Sequence, residues 1–278
     1  MALQRTTRKK RLRKKRIIHL VLLLFIIFLF FFLDTFPFSP QEVKDQLKKD
    51  VRNQQERTIA QLPDAEHSDE KVVYLTFDDG PTSATDDVLE ILKEYGAKAT
   101  FFMLSPHMEE RSNLVKQMVQ EGHGVGLHGV THDLNRFYKS EQTVLNEMNE
   151  AQQVLENIAG VHSSLIRTPY GSVPYLTKPY RKALKEQGYE LWDWNIDSRD
   201  WDRKDGKYVE NLIDQIQSIE GNGATPVVLL HDQSQTAQSL AELLTYLTEH
   251  GFEMKKLDSS VEPVQFRCYD RCHQLPKL

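Results

Sequence analysis

The sequence predicts an α/β fold whose parallel strands close, or nearly close, into a (β/α) barrel of fewer than eight strands. Short apolar runs alternate with amphipathic stretches of helical period seven times between Lys71 and Leu257, a pattern typical of a parallel sheet. A glycine falls at the end of each helical stretch, where C-terminal caps favour it. The runner-up is an open doubly wound sheet, but no glycine-rich phosphate loop follows the first apolar run.

The elements of this barrel are assigned in chain order from their periodicity. Short apolar runs indicate buried strands, and apolar residues three or four apart indicate helices. The predicted strands are Val72–Phe77, Ala99–Leu104, Val125–His128, Leu165–Pro169, Glu190–Asp197, Pro226–His231 and Phe252–Leu257. The predicted helices are Ala84–Tyr95, Leu114–Glu121, Ser140–Ile158, Leu176–Gln187, Tyr208–Ile219 and Thr236–His250.

A segment suited to membrane anchoring precedes the barrel. Residues 1–16 hold nine Lys and Arg and no acid, and Ile17–Leu33 is a run of 17 residues with His19 as its one polar member. Such a helix spans about 25 Å, near the short limit for crossing a bilayer. Basic residues before the run and Asp34 after it predict a cytoplasmic tail at 1–16, a transmembrane signal anchor at 17–33 and an extracellular body. A cleaved signal peptide is the rival, but no small-residue cleavage pattern follows the run.

The rest of the chain is acidic. Residues 34–278 carry 26 basic against 40 acidic residues, a net charge of −14. This balance argues against nucleic-acid binding, because neutralising phosphates requires a basic face. Residues 34–70 are polar and show little apolar periodicity, which predicts an extracellular stalk. The body of the protein follows at 71–258, and a C-terminal tail occupies 259–278.

The two cysteines of the chain, Cys268 and Cys272, both lie in this tail. In an oxidising exterior they predict a small disulfide loop. Free thiols and half of a metal site are the alternatives, although a single pair at this spacing is weak evidence for zinc.

Polar residues follow the predicted strands at their ends, where barrels gather their chemistry. Asp78 and Asp79 end the first strand, and the break at Gly80-Pro81 would let both carboxylates reach one site. The alternative is a simple polar turn. His128 and His132 follow the third strand, and on one helical turn they would bind a metal together with one of the aspartates. Two unrelated loop histidines are the alternative.

Three later strand ends add further candidates. Arg167, if buried beside a carboxylate, would hold that group in place, whereas a lone arginine more often forms a surface salt bridge. His231 ends the most apolar strand and would act as a general acid with Asp197 or Asp232 as its partner, unless it is a satisfied core residue. Trp201 follows the fifth strand, and a tryptophan at the mouth suits the apolar face of a sugar ring.

With these residues the chain resembles the polysaccharide deacetylases with a NodB homology domain, carbohydrate esterase family 4, over nearly the whole body. The resemblance rests on five motifs in the family's order: Thr-Phe-Asp-Asp-Gly-Pro at 76–81, histidines at 128 and 132, Arg-x-Pro-Tyr-Gly at 167–171, Asp-x-x-Asp-Trp at 197–201 and Leu-x-His-Asp at 229–232. It implies a distorted (β/α)7 barrel and makes 71–258 the catalytic domain.

The resemblance also implies a metal centre. Asp79, His128 and His132 would bind a divalent metal, usually Zn²⁺, with Co²⁺ or Mn²⁺ as alternatives. Asp78 would be the general base, positioned by Arg167.

The remaining implied roles surround the substrate. The backbone N–H of Tyr170 would help to hold the oxyanion, and Asp197 would tune the general acid His231. Trp201 and Leu229 would wall a pocket for the acetyl methyl group.

The implied reaction is hydrolysis, by a metal-bound water, of the acetamido groups on N-acetylglucosamine units of a cell-wall glycan, peptidoglycan above all. Some relatives that act on muramic-acid residues have Asn in place of Asp79, so the aspartate favours N-acetylglucosamine. Chitin oligomers, poly-N-acetylglucosamine, O-acetylated xylan and a non-catalytic glycan-binding module remain as alternatives. The catalytic domain is expected outside the cell membrane on a single-pass anchor.

One position departs from the family's pattern. Relatives usually have Ser or Thr directly after the first histidine, where it steadies the loop that presents the second, and this chain has Gly129. The sequence therefore predicts a looser loop or weaker metal binding unless Thr131 compensates.

Overall fold

The computed structural model describes residues 71–202 and 208–276. Within these ranges it contains a parallel sheet of eight strands: β1 Lys71–Asp78, β2 Thr100–Met103, β3 Gly124–Leu127, β4 Leu165–Ile166, β5 Glu190–Leu191, β6 Ile196–Asp197, β7 Val227–His231 and β8 Phe252–Lys255. The strand order is β5-β4-β3-β2-β1-β7-β6, and β8 pairs with the first half of β1. The predicted parallel α/β sheet is confirmed.

The predicted strand at Glu190–Asp197 is two short strands, and this break explains how the sheet curls. β5 pairs with β4 at one edge of the sheet, whereas β6 pairs with β7 at the other. Only 192–195 separate the two in the chain, so the two edges of the sheet must approach each other. The strand breaks because the backbone N–H of Asp193 donates to the carbonyl of Val264, in the C-terminal tail, at 2.8 Å. The result is a curled half-barrel rather than seven unbroken strands.

Helices cover the outside of this sheet. Those in the described ranges are α1 Thr85–Glu94, α2 Ser105–Glu110, α3 Ser112–Gln120, α4 Leu134–Phe137, α5 Glu141–Ala159, α6 Lys178–Glu186, α7 Tyr208–Gly221 and α8 Ser234–Glu249. The six predicted helices are all present, with ends shifted by a few residues. The short helices α2 and α4 were not predicted, because four to six residues are too few to show a helical period.

Strand β1 shows how the apolar residues divide between two clusters. Its residues Val73, Leu75 and Phe77 belong to the large core between sheet and helices. Side chains alternate along a strand, so the residues between these point into the half-barrel. Tyr74 joins the small inner cluster there, and Asp78 follows on the same face at the strand end. A carboxylate therefore enters the half-barrel at its mouth.

The carboxyl ends of the parallel strands meet at this mouth. Asp78 at the end of β1 is the direct register partner of His231 at the end of β7. Asp197 at the end of β6 is paired in the same way with Leu229. The topology thus brings together residues that lie more than a hundred positions apart in the sequence.

The predicted cytoplasmic tail, membrane anchor and stalk, residues 1–70, lie outside the described residues. Among the helices that the structure does describe, none has the length and apolar character needed to cross a membrane. In the tail, Cys268 and Cys272 form a disulfide with their Cα atoms 5.2 Å apart.

Candidate active site

Asp78 is a buried carboxylate held by a buried arginine. Its Oδ1 accepts a hydrogen bond of 2.8 Å from Nη1 of Arg167. The same nitrogen donates to Oγ1 of Thr76 at 2.7 Å, and Thr76 in turn donates to the carbonyl of Val228 at 2.6 Å. Because Oδ1 is occupied, Oδ2 is the oxygen of Asp78 that remains for chemistry, and it lies 3.9 Å from Nε2 of His128.

Arg167 is fully buried, with 0% of its surface exposed, and each of its nitrogens has a fixed acceptor. Besides Asp78 and Thr76, these are the carbonyls of Trp192, at 3.2 Å from Nε, and Asp193, at 3.0 Å from Nη2. A planar guanidinium whose three nitrogens are all hydrogen-bonded fixes the orientation of the carboxylate that it holds. The sequence-based expectation of a buried arginine beside Asp78 matches this geometry.

Asp79 reaches the same mouth because the chain turns sharply after β1. Its φ is +72°, a left-handed conformation that is unusual for a residue other than glycine. Nδ1 of His107 donates to its carbonyl at 2.5 Å. A Cβ on Gly80 would collide with the buried carboxylate of Asp232, so the turn needs a glycine there. The strained turn aims both neighbouring carboxylates at one site, as the break at Gly80-Pro81 had suggested.

The two histidines present their Nε2 atoms to Asp79. Oδ1 of Asp79 is 3.4 Å from Nε2 of His128 and 3.3 Å from Nε2 of His132. Nδ1 of His128 donates to the carbonyl of Arg167 at 2.7 Å, so Nε2 is the ring nitrogen that faces Asp79. Burial lowers the pKa of His132, and the neighbouring His128 ring lowers it further. Both rings are thus prepared to act as ligands. They meet across a loop, however, and not on a helical turn.

These three residues fit a divalent cation. One ligand atom from each lies within 4.8 Å of the others. Oδ1 of Asp79 is buried and has no hydrogen-bond partner among the described residues, which is costly for a carboxylate oxygen unless a cation binds there. Two imidazoles and one carboxylate form a ligand set that suits catalytic zinc and leaves a coordination position open. Their role as metal ligands remains a prediction.

His231 pairs with Asp200, and the expectation that Asp197 would tune it is wrong. Nδ1 of His231 lies 2.7 Å from Oδ1 of Asp200, and its backbone N–H donates to Oδ2 at 2.7 Å. Asp200 is fully buried and also accepts from Oγ1 of Thr236. Burial alone would lower the pKa of His231, but the hydrogen bond and charge of Asp200, with smaller contributions from Asp78 and Asp79, raise it to about 9.

The two carboxylates that were expected beside His231, those of Asp197 and Asp232, bind other groups. Asp197 accepts from the backbone N–H of Arg199 at 2.9 Å and lines the pocket. Asp197 is the last residue of β6. The chain turns after it, and Asp200, three residues further along, is the carboxylate that reaches the ring of His231. Asp232 accepts from the hydroxyls of Thr82 and Thr85 and so fastens the turn after Asp79.

A pocket of about 370 Å³ opens over these groups. Asp78, His128, His132 and His231 lie at its base, and its walls include Tyr170, Gly171, Trp194, Asp197, Trp201 and Leu229. Trp201 is 52% exposed and Leu229 is buried, so the pocket lining combines an exposed aromatic ring with a buried apolar side chain. All three residues that the sequence assigned to substrate contact, Tyr170, Trp201 and Leu229, therefore line one cavity.

The hydroxyl of Tyr170 donates to the carbonyl of His132 at 2.8 Å. The backbone N–H of Tyr170 has no hydrogen-bond acceptor in the part of the chain that the structure describes. This N–H is therefore available to a ligand at the mouth.

Some residues of the site escaped sequence reasoning. Asp200 lies inside the Asp-x-x-Asp-Trp motif, and its position shortly beyond the end of β6 was the one available signal. His107 lies at a predicted strand end but had no assigned role. Glu147, on α5, gave no signal, because a glutamate on an amphipathic helix normally faces solvent.

Comparison with known proteins points to one family. A family model described as polysaccharide deacetylase matches residues 65–192. A peptidoglycan-N-acetylglucosamine deacetylase from Bacillus cereus is 41% identical over 201 residues, which cover 70% of this chain and 73% of the relative.

Solved structures agree with this result. The polysaccharide deacetylase Bc1974 from Bacillus cereus is 40% identical, with a TM-score of 0.63 over 71% of this chain and 97% of that one. The catalytic domain of a peptidoglycan N-acetylglucosamine deacetylase from Eubacterium rectale is 28% identical, with a TM-score of 0.66 over 75% of this chain and 98% of that one.

Proposed function

Because this chain belongs to the polysaccharide deacetylase family, we propose that it hydrolyses the acetamido groups of N-acetylglucosamine units in peptidoglycan. Membership makes it a carbohydrate esterase family 4 hydrolase, and the substrate is the proposed part. One observation carries the proposal: Asp78 and His231, a candidate base and a candidate acid, are register partners on adjacent strands and line one pocket with two of the three candidate metal ligands.

Asp78 acts as the general base. Arg167 holds its Oδ1, so Oδ2 accepts the proton of the attacking water. Positioned proton transfer of this kind contributes about 10²–10⁴-fold to a rate.

His231 acts as the general acid. Its Nδ1 is engaged by Asp200, which leaves Nε2 to donate a proton to the departing amine. A pKa raised to about 9 keeps this ring protonated at neutral pH. Acetate and a free glucosamine unit leave, and the two proton transfers balance without a covalent enzyme intermediate.

Asp79, His128 and His132 would hold the metal. When bound, a divalent metal supplies Lewis-acid chemistry, lowering the pKa of a coordinated water and polarising the amide carbonyl. The residues that line the pocket bind the substrate. The backbone N–H of Tyr170 donates to the oxyanion, and Trp201 and Leu229 enclose the acetyl methyl group.

Three observations support N-acetylglucosamine units as the substrate. The relative from Bacillus cereus and the structure from Eubacterium rectale are both named as peptidoglycan N-acetylglucosamine deacetylases. The aspartate pair at 78 and 79 is intact, and the exposed ring of Trp201 at the pocket rim suits a pyranose face.

We also propose that residues 17–33 anchor the protein in the cell membrane, with the basic residues 1–16 in the cytoplasm and the catalytic domain outside. This orientation brings the hydrolase to the cell wall. A topology assay with reporter fusions before residue 17 and after residue 34 tests it, and a reporter that reads the C-terminal side as cytoplasmic contradicts it.

Acetate release from a panel of defined glycans tests the proposed reaction. The full chain, purified in detergent and loaded with Zn²⁺, should release acetate from peptidoglycan faster than from chitin oligomers, poly-N-acetylglucosamine or acetylated xylan. A chelator should abolish the release and added metal should restore it. Metal-replete protein that releases no acetate from any of these glycans contradicts the proposal.

A further inference from the structure

The loop between the two site histidines is fastened by a buried carboxylate from a helix. Glu147 lies on α5 with 8% of its surface exposed. Its Oε2 accepts the backbone N–H groups of Val130, at 3.0 Å, and Thr131, at 2.9 Å. Its Oε1 accepts Oγ1 of Thr131 at 2.8 Å. Both oxygens of one side chain therefore hold two consecutive residues of the short loop that joins the histidines.

The environment of Glu147 indicates that this contact is specific. A carboxylate leaves water only where other donors replace its hydration. Within the described residues, every hydrogen bond to the carboxylate of Glu147 comes from Val130 or Thr131. Hydrogen bonds to a charged acceptor are stronger than neutral ones, and three from one loop restrict that loop more than a single hydroxyl would.

Gly129 leaves room for this contact. Its φ is +94°, and a Cβ there would lie 3.2 Å from Oε2 of Glu147 and 3.1 Å from Cε2 of Phe137. A side chain at 129 would thus meet the carboxylate and the ring that packs beside it. The loop is therefore not loose for want of a hydroxyl at 129, and Thr131 contributes, as anticipated, but as a donor to Glu147.

The fastened loop leads directly into His132. Thr131 is its neighbour in the chain, and the hydroxyl of Tyr170 holds the carbonyl of His132 from the other side at 2.8 Å. Between these two anchors the backbone of His132 has φ of +45°, and its Nε2 is 3.3 Å from Oδ1 of Asp79. A shift of the loop by a few tenths of an ångström would change that approach.

We propose that Glu147 is a positioning residue that holds His132 against Asp79 through the amides of Val130 and Thr131. The proposal rests on the proposed metal-binding role of His132. Outer partners of metal ligands typically contribute about 10–100-fold to metal affinity.

Zinc affinity of matched glutamate variants tests this role. Glu147→Ala should weaken Zn²⁺ binding by about 10–100-fold. Glu147→Gln should stay within about threefold of wild type, because its amide oxygen can accept both backbone N–H groups while its NH₂ donates to Thr131. Glu150→Ala removes an exposed glutamate one turn further along α5 and should bind Zn²⁺ like wild type. A folded Glu147→Ala protein with wild-type affinity overturns the proposal.

Amide hydrogen exchange in the wild-type protein provides a test that needs no variant to fold. The N–H groups of Val130 and Thr131 lie in a loop, yet they should exchange slowly, because both donate to a buried carboxylate. Fast exchange at both overturns the proposal.

The two measurements also separate this inference from the proposed function. Zinc binding that depends on Glu147, without acetate release from any glycan, supports the inference and contradicts the proposed function. Acetate release by a protein whose Zn²⁺ affinity does not depend on Glu147 supports the proposed function and contradicts the inference. A wild-type protein that binds no Zn²⁺ contradicts both.

Discussion

Two histidines at one mouth, His132 and His231, have opposite electrostatic environments. His132 is partly buried, and burial together with the neighbouring His128 ring lowers its pKa. His231 is also desolvated, yet Asp200 raises its pKa to about 9. The side chains are chemically identical, so their surroundings alone separate a neutral ring from a protonated one.

The difference lies in how each carboxylate is shared. Asp79 places one oxygen between two rings, at 3.3 and 3.4 Å, which is too long for a strong hydrogen bond to either. Asp200 is dedicated to His231 and binds both its ring and its backbone at 2.7 Å. A shared carboxylate suits a metal site, because a cation can satisfy all three groups at once. A dedicated one suits a general acid.

The largest expected effect comes from breaking the dedicated pair. Asp200→Asn removes the charge that raises the pKa of His231, so that burial, which acts in the opposite direction, prevails. The acid form is present below the pKa and lost as pH rises through it. In the variant this loss should therefore begin at lower pH, and kcat at a mildly alkaline pH should fall by about 10²–10⁴-fold. The pH profile of kcat for acetate release measures both changes.

If the basic limb of the kcat profile of Asp200→Asn lay at the same pH as in the wild type, Asp200 would not control the pKa of His231. Steady zinc content in the same samples would exclude indirect loss of the metal.

The same pair should also stabilise the fold in a pH-dependent way. His231 has a pKa raised from 6.5 to about 9 in the folded state. Its contribution to the free energy of unfolding is therefore fully present below about pH 6.5 and is lost as pH rises through about 9. Between pH 6.5 and 9, the free energy of unfolding of the metal-free wild-type protein should fall by roughly 2–4 kcal/mol because of this pair. The Asp200→Asn variant should not show this decrease. Denaturant unfolding of both proteins across this pH range measures it, and parallel curves would contradict it.

Asp197→Asn is the matched control for Asp200→Asn and should have the weaker effect. Asp197 ends the adjacent strand and carries the same charge, but it accepts from the backbone of Arg199 rather than from His231. Asp197→Asn should leave the basic limb of the pH profile in place, because the Asp197 carboxylate accepts from the backbone of Arg199 while the ring of His231 is held by Asp200. If Asp197→Asn shifted the basic limb as far as Asp200→Asn, Asp200 would not be the dedicated partner of His231.

Periodicity was sufficient to predict the parallel α/β sheet because strands and helices in such a sheet leave distinct apolar patterns. It failed at Glu190–Asp197, since the alternation of polar and apolar residues there does not reveal that the amide of Asp193 leaves the sheet to pair with Val264. That pairing depends on the C-terminal tail, far away in the chain. Contacts at such a distance have no signature in local sequence.

The candidate site was predictable where its residues end strands. Asp78, His128 and His231 stand at or beside strand ends, and topology alone brings those ends together. Partners that approach from loops or helices were not predictable in this way. Asp200 was missed in favour of Asp197 because the path of a loop is set by its own hydrogen bonds. Glu147 was missed because only the folded chain shows that its helix face is covered.

In the proposed reaction the adjacent carboxylates Asp78 and Asp79 have different roles, Asp78 as the general base and Asp79 as a metal ligand. Zinc content and acetate release, measured on the same preparations of Asp78→Asn and Asp79→Ala, test this assignment most directly. Asp78→Asn should retain stoichiometric zinc and lose activity by about 10²–10⁴-fold, whereas Asp79→Ala should lose both. Equal loss of zinc in the two variants, or an Asp79→Ala protein that retains zinc and activity, would contradict the claim.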